Sequence, residues 1–313
     1  MLRYTLVKLV TAAILVAVVS TLTFFMLYGA NSDPVTTMLG ETATAEQIAA
    51  REAELGLDRP VGEQFASWVT AALHGDLGTS WSNRQPVAET LAARVPVTLG
   101  LAILAIIVSA VIGIALGVAA ARFRGWVDVL LQVVVIVGFA LPAFWFATLL
   151  STTFGLQLGW FPALGYIKPS ESIGGWLSTV TLPVLALAAG VAAAIAQQVR
   201  NSVIDVERRD FVRALTSRGI GSRRILLAHT LRNAAPAALT VISVQFIGLL
   251  GGAIIVENIF ALPGLGALAI DATTLGDVPV VMGVMLVTVL IVVVVNLALD
   301  LIQGVINPKA RVR

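Results

Sequence analysis

Long uncharged apolar runs, separated by polar segments, organise the chain. Each run holds about 20 residues, the length that a helix needs to cross the hydrocarbon core of a bilayer. The pattern therefore predicts an all-α polytopic membrane protein with six transmembrane helices. We predict that Pro142 kinks the third of them. The runs are Leu9–Tyr28, Val97–Ala120, Val129–Thr153, Leu177–Val199, Ala237–Val256 and Val278–Leu299.

The first long polar segment follows the first span. Thr44 suits a helix N-cap with Gln47 three residues later, and Gly56 and Pro60 end that helix. A second amphipathic helix follows, with Phe65, Trp68, Val69 and Ala72 at helical spacing. We predict a small helical cap on the ends of the spans. The predicted division is an N-terminal transmembrane helix (1–30), this insertion (31–94), a core (95–305) and a tail (306–313).

The second long polar segment, Asp205–Pro236, is rich in arginine, and we call it the elbow. Apolar residues such as Val212 and Leu215 alternate with its charges, and Gly219 interrupts it. This pattern predicts a helix, a tight turn at Arg218–Gly219, and a second helix that runs into the fifth span. A basic patch facing anionic lipid and a disordered connector are the alternatives. A helical elbow could instead bury apolar residues in a groove of a partner protein.

Composition and charge agree with a membrane location and give an orientation. Hydrophobic residues make up 58% of the 313 residues and charged residues 12%, about half the share of a soluble domain. With the N-terminus inside, the inner segments hold 15 of the 20 Lys and Arg residues. The positive-inside rule therefore places both termini and the elbow in the cytoplasm. Phe154–Gly175, with Trp160, Phe161 and Tyr166, is predicted to be a short outer loop.

No catalytic chemistry is evident in the sequence. It has no GxxxxGK[ST] phosphate loop, no HExxH and no GxSxG, so we expect a protein that is not an enzyme. It has no Cys, and its two His residues, His74 and His229, are far apart, so we expect no metal site and no bound cofactor. We also expect no nucleic-acid partner.

The spans carry few ionisable residues, which argues against an ion-coupled carrier. An ion-coupled carrier or a passive channel remains the alternative from another class, and a membrane scaffold is a third. Six spans are too few to enclose a peptide-wide pore, so a partner permease is expected. Polar residues within spans are candidates for the pore lining, although hydrogen bonding between helices would also explain them. They are Gln132, Thr148, Gln197 and Gln245.

Several stretches resemble one family. DFVRALTSRG followed by HTLRNAAP resembles the cytoplasmic "EAA" loop of binding-protein-dependent ABC transporter permeases. The motif positions are Arg213, Ala214, Leu215 and Gly219, and the first and third depart from the general pattern. The segments LGLDRPVGEQFASWV, HGDLGTSW, VPVTLGLA and GGAIIVENIFALPGLG, together with the ending NPKARVR, resemble the first permease of dipeptide and oligopeptide importers.

The resemblance implies a type I ABC importer permease in a bacterial plasma membrane. Its expected partners are a second permease in a heterodimer, two ATP-binding subunits that use ATP and Mg²⁺, and an extracytoplasmic solute-binding protein. The implied substrate is a di- or oligopeptide, with nickel or another small solute as the alternative. The resemblance implies that the elbow is the ATPase-coupling loop, with Ala214 and Gly219 at motif positions. The residues expected to contact the ATPase are Asp210, Arg213, Arg218, Gly221, Arg223 and Arg224.

Overall fold

The computed structural model describes residues 2–29, 34–40, 43–123 and 125–306. Arg124 and, from the predicted tail (306–313), residues 307–313 lie outside the described residues. Within the described part, regular structure is helical apart from one isolated β-bridge between Thr79 and Pro86. The predicted all-α class is therefore confirmed.

Thirteen α-helices and two π segments follow one another along the described chain. They are α1 (Leu2–Gly29), α2 (Pro34–Leu39), α3 (Ala45–Leu55), α4 (Val61–Leu73), α5 (Val87–Arg122), α6 (Trp126–Ala140), α7 (Ala143–Leu150), π1 (Ser151–Gln157), α8 (Ile173–Glu207), α9 (Asp210–Ser217), α10 (Ser222–Arg224), π2 (Ile225–Thr230), α11 (Leu231–Ile259), α12 (Leu265–Thr274) and α13 (Val278–Ile306).

Five described helices are long and apolar enough to cross a membrane, and a bent pair makes up to six. The third predicted span is that pair, because α6 and α7 meet at 98° across Leu141 and Pro142. Leu141 is extended, with φ −78° and ψ 116°, as a residue before proline prefers. Pro142 also lacks the N–H that would continue the helix. The predicted kink is thus a full break.

Other boundaries differ from the sequence prediction. Helix α5 begins at Val87 rather than Val97, so the end of the predicted insertion is already helical. Segment π1 takes up the start of the predicted loop at Phe154, with the N–H of Leu158 donating to the carbonyl of Thr153 at 2.9 Å. Helices α2 and α12 were not predicted, because both are too short to show a clear apolar period.

The described chain forms two compact units, and the first comprises residues 1–98 and 263–294. The predicted cap helices α3 and α4 are both present. Thr44 and Gln47 form the predicted capping box, each side chain bonding the other's backbone N–H. Phe24, Val278 and Met282 form a buried cluster in this unit, against which Phe65 and Trp68 pack.

A buried carboxylate ties two distant stretches of the first unit together. Asp277 directly precedes α13 and is 1% exposed. It accepts hydrogen bonds from the hydroxyls of Ser80 and Ser82 and from the backbone N–H groups of Trp81 and Ser82. Four donors satisfy a charge that would otherwise be costly to bury. The stretch around Ser80 is therefore fixed to the start of α13.

The second unit comprises residues 99–262 and 295–313, and α8 is its central helix. Most of the apolar window of α8 is buried, and it packs against α6, α7 and α11. Its alanine-rich middle allows close approach, as is typical of membrane helices. At Gly117, α5 approaches α8 so closely that a Cβ on residue 117 would lie 2.5 Å from the carbonyl oxygen of Ala196.

Candidate functional site

The elbow is a helix, a glycine turn and a second helix. Helix α9 ends in a Schellman motif, in which the N–H of Ile220 donates to the carbonyl of Leu215 at 3.2 Å and that of Gly219 to Thr216 at 2.9 Å. Gly219 has φ +78°, a left-handed conformation that glycine adopts without strain. From Ser222 the chain is helical through π2 into α11. The prediction of two helices around Arg218–Gly219 is confirmed.

Helix α9 turns one apolar side inward and one mixed side outward. Val212 is buried and Leu215 is half-buried, and α9 packs against π2. Phe211 remains 37% exposed beside the charged side chain of Asp210. All the coupling-loop residues predicted from the sequence are exposed. They are Asp210, Arg213, Ala214, Arg218 and Gly219 on α9 and the turn, and Gly221, Arg223 and Arg224 after the turn.

The exposed arginines of the elbow have little internal neutralisation. Arg213 Nη1 lies 3.6 Å from Asp210 Oδ1. The two side chains are 75% and 95% exposed, so water screens the pair. Arg218, Arg223 and Arg224 make no ion pair with any described residue. Arg122 of α5 donates to the Ser222 hydroxyl at 3.3 Å, which adds a further cation beside this surface. The elbow thus presents a positive, partly apolar surface.

The π2 segment joins the elbow to α11. Its last turn is wide, because the N–H of Leu231 donates to the carbonyl of Leu226. Thr230 is fully buried there, and its hydroxyl has no hydrogen-bond partner among the described residues. Such π turns cost free energy and are common at functional positions. No sequence pattern predicted this segment, since apolar periodicity does not separate a π turn from an α turn.

The four candidates for the pore lining occupy different surroundings. Gln245 of α11 lines a cavity of about 250 Å³ at the α6–α7 break, together with Gly138, Gly190, Gly248 and Gly252. The lining of that cavity does not include Gln132, Thr148 or Gln197.

The three other candidates have local environments of their own. Gln132 lies one turn after Asp128 on α6, and the Thr148 hydroxyl donates to the carbonyl of Phe144 at 2.9 Å. Gln197 is half-buried in α8. The alternative role of hydrogen bonding within or between helices therefore fits Thr148 better than Gln245. A pore role for all four stays a prediction.

An ion pair between α6 and α8 was not anticipated from the sequence. Arg200 holds Asp128 in a bidentate pair, Nε to Oδ1 at 2.8 Å and Nη2 to Oδ2 at 2.6 Å. The two side chains are only 22% and 20% exposed. Both residues lie just outside the predicted apolar runs, so neither run contained a charge that would have revealed the pair.

Removing one partner of this pair should destabilise the protein. Arg200→Met leaves the Asp128 carboxylate without its guanidinium, and we expect a loss of about 2 kcal/mol in unfolding free energy. The double variant Asp128→Leu/Arg200→Met should recover most of it. Thermal unfolding in detergent measures both. Arg213→Met, which breaks an exposed pair, is the matched control and should leave the transition unchanged. If Arg200→Met and Arg213→Met shift the thermal transition equally, the Asp128–Arg200 pair is not the stabilising contact that we assign.

Two family models together match nearly the whole chain. Residues 113–312 match the family described as binding-protein-dependent transport system inner membrane component. Residues 1–102 match the N-terminal membrane component of the same kind of system. The chain belongs to this family. The family resemblance drawn from the elbow and the insertion is confirmed.

Relatives of this permease match over almost their entire length. A Brucella abortus (strain 2308) protein named as a peptide transport system permease is 36% identical over 295 residues, 94% of each chain. The glutathione transport system permease protein GsiC of Salmonella typhimurium is 36% identical over 312 residues, 99% of each chain. These matches run through the insertion as well as the core.

Solved structures share the permease fold. A chain of the MetNI methionine ABC transporter in an inward-facing conformation matches with a TM-score of 0.57 and 18% identity, covering 70% of this chain and 96% of that one. A second crystal form of the same transporter matches with a TM-score of 0.50. At this identity the likeness concerns the fold alone, and it agrees with the predicted ABC importer permease fold.

Proposed function

We propose that this permease is one half of the translocation path of an ATP-driven importer for peptides, paired with a second permease in a heterodimer. ATP and Mg²⁺ are used by two ATP-binding subunits, because the chain itself has no phosphate loop. A solute-binding protein delivers the substrate from outside. The elbow is the contact through which the ATPases move the membrane helices.

The geometry of the elbow is the observation that carries this proposal. Helix α9 projects Phe211 and Ala214 beside Asp210, Arg213 and Arg218, so it offers an apolar anchor surrounded by charges. An anchor of this kind fits a groove in another protein, while the charges fix the register. The elbow also joins α8, the central helix of the second unit, to α11. A displacement of α9 would therefore act on both helices.

The proposed orientation follows from the basic residues. With the elbow in the cytoplasm, α1 carries the chain outward to the insertion, where a binding protein can dock. Both termini are then cytoplasmic. A multi-pass protein of a bacterial plasma membrane fits this arrangement.

Two features support peptides as substrates. The relatives named above, whose names refer to peptide and glutathione transport, are 36% identical over nearly the full chain. The lining of the cavity at Gln245 is mostly apolar, includes four glycines and contains no charged residue. Such walls let a peptide main chain approach closely, and an amide side chain can hydrogen-bond to it.

Reconstitution of the whole importer tests the function. Proteoliposomes that contain this chain, its partner permease, the two ATPases and the binding protein should accumulate a radiolabelled dipeptide or glutathione when ATP is supplied to the ATPase side. A non-hydrolysable ATP analogue should abolish accumulation. Uptake driven by an imposed ion gradient without the ATPases would contradict the proposal. Accumulation of ⁶³Ni²⁺ instead of peptide would keep the importer and replace its substrate.

A further inference from the structure

The 79–86 loop, which directly precedes α5, is held from two sides within the first unit. Its two ends are joined by the isolated β-bridge. On one side, hydroxyl and backbone N–H groups of the loop donate to the carboxylate of Asp277, the residue before α13. On the other side, Arg51 of α3 donates from Nη2 to the carbonyl of Trp81 at 2.9 Å. The loop therefore connects the insertion to the start of α13.

Each oxygen of the Asp277 carboxylate accepts from a backbone N–H of this loop. The N–H of Trp81 donates to Oδ1 at 3.1 Å, and that of Ser82 donates to Oδ2 at 3.2 Å. A carboxylate accepts at both oxygens, whereas an amide has one accepting and one donating end. An asparagine in either orientation would therefore turn its NH₂ group toward a backbone N–H. The contact requires a carboxylate.

The main chain that carries this carboxylate is also fixed. The N–H of Asp277 donates to the carbonyl of Ala272 at 2.8 Å, and the N–H of Gly276 donates to that of Thr273 at 3.2 Å. These two bonds form a Schellman motif at the end of α12, with Gly276 at φ +67°. The carboxylate is thus presented to the loop from a turn whose own backbone bonds are satisfied.

Helices α5 and α13 pack directly on each other just beyond this contact. A Cβ at Gly283 of α13 would lie 2.6 Å from Cγ1 of Val87 and 3.0 Å from Cδ1 of Leu91, two buried residues of α5. Closely packed side chains of this kind resist sliding and transmit displacement. The first turns of the two helices are therefore joined by packing as well as by hydrogen bonds.

Helix α5 also makes a contact at its other end. It is continuous from Val87 to Arg122, and Arg122 donates to the hydroxyl of Ser222 in the elbow at 3.3 Å. The start of α5, which follows the loop held by Asp277, thus lies on the same helix as a contact with the elbow.

We propose that Asp277 is a positioning residue for transport. It makes the insertion and the first turns of α5 and α13 move as one body, so docking of the binding protein on the insertion displaces both membrane helices. The inference rests on the proposed function, which places the insertion on the side where the binding protein docks. It gives the insertion a role in transmitting that docking, in addition to providing a surface for it.

Asp277→Asn breaks this contact without changing the size of the side chain. In the full importer in nanodiscs, stimulation of ATP hydrolysis by the binding protein should fall about tenfold, because docking no longer acts on α5 and α13. The Kd of the binding protein should stay within about twofold of the wild-type value, since the docking surface is unchanged. Stimulation is measured per folded complex, so a lower yield alone does not move it.

Two further variants make the comparison specific. Asp271→Asn is the matched control, because it makes the same chemical change at an exposed position of α12, and it should keep wild-type stimulation. Ser82→Ala removes one hydroxyl donor to Asp277 from an exposed residue. It should lower stimulation about threefold. If Asp277→Asn gives no folded complex, Ser82→Ala decides.

An engineered disulfide tests the connection directly, since the chain has no cysteine of its own. A Cβ at Gly78 would lie 4.0 Å from Cβ of Pro279, a separation that a disulfide spans. In the Asp277→Asn background, oxidised Gly78→Cys/Pro279→Cys should restore stimulation and uptake, and reduction should remove them again. Beside the native Asp277, the oxidised and reduced forms should take up substrate equally. Comparing two forms of one variant cancels the strain of a cysteine at Gly78, which has φ +79°.

Three results would overturn the proposal. Wild-type stimulation in folded Asp277→Asn complex would show that the contact transmits nothing. A raised Kd as its only defect would make Asp277 a docking residue instead. Loss of uptake when the disulfide forms beside the native Asp277, reversed by a reductant, would show that the loop and α13 separate during transport. If the wild-type complex has no ATP-driven uptake, the proposed function itself fails, and that result involves no variant.

Discussion

Replacing Gly117 by leucine is expected to remove most of the folded protein from the membrane. A Cβ at this position of α5 would lie 2.5 Å from the carbonyl oxygen of Ala196 and 2.8 Å from Cβ of Val199. The first of these atoms is backbone in the central helix α8, which can yield only if the two helices separate. Overpacking of this kind costs about 3 kcal/mol or more. Only glycine fits the observed approach.

The amount of monodisperse protein after detergent extraction, and its thermal midpoint, measure this effect. Gly174→Leu is the matched control, because Gly174 lies in α8 and a Cβ there would meet nothing within 4 Å. That variant should accumulate normally. Equal losses in both variants would show that a leucine at any helical glycine is harmful and that the contact with Ala196 is not the cause. Wild-type levels of Gly117→Leu would show that α5 and α8 do not pack this closely.

Replacing Gly219 by valine is expected to lower ATP-dependent uptake at least tenfold while leaving membrane insertion intact. A β-branched residue at φ +78° costs about 1–3 kcal/mol, so the chain should leave this conformation. The Schellman bonds at the end of α9 then break, and α9 is no longer presented at a fixed angle. Because a Cβ at Gly219 would contact nothing within 4 Å, the effect comes from backbone strain and not from a clash.

Uptake in the reconstituted importer, and co-purification of the ATPases, measure this second effect. We expect uptake to fall at least tenfold and ATPase recovery to fall with it. Adding Arg213→Glu should remove any remainder. Gly174→Val is the matched control, since Gly174 lies outside the elbow, has no positive φ and has equally open surroundings. Normal uptake in the Gly219→Val/Arg213→Glu variant would refute the coupling role of the elbow.

These two glycines differ in how visible they are in the sequence. Gly219 stands between two polar amphipathic stretches, where a left-handed turn is the expected reason for a glycine. Gly117 stands in a uniformly apolar run and gives no such signal. Its need for glycine arises from the backbone of α8, a helix far along the chain. The sequence therefore reveals a glycine that its own backbone conformation requires, but not a glycine that packing against a distant helix requires.

Features that depend on residues close together in the sequence could therefore be predicted from it. Apolar runs of membrane length defined the long helices, since hydrophobic burial in lipid acts on each segment separately. The Thr44–Gln47 capping box and the turn at Gly219 followed from the bonding needs of helix ends. The family resemblance came from short motifs in order. The sequence by itself thus determined the fold class, the elbow and the family.

Other features came only from the tertiary structure. Pro142 predicts a bend in the third span, whereas the angle of 98° is given only by the structure. The pairing of Asp128 with Arg200 and the four donors on Asp277 each involve groups that are distant in sequence. Apolar periodicity carries no information about which polar group meets which. The α6–α7 cavity and these two polar contacts were accordingly decided by long-range packing.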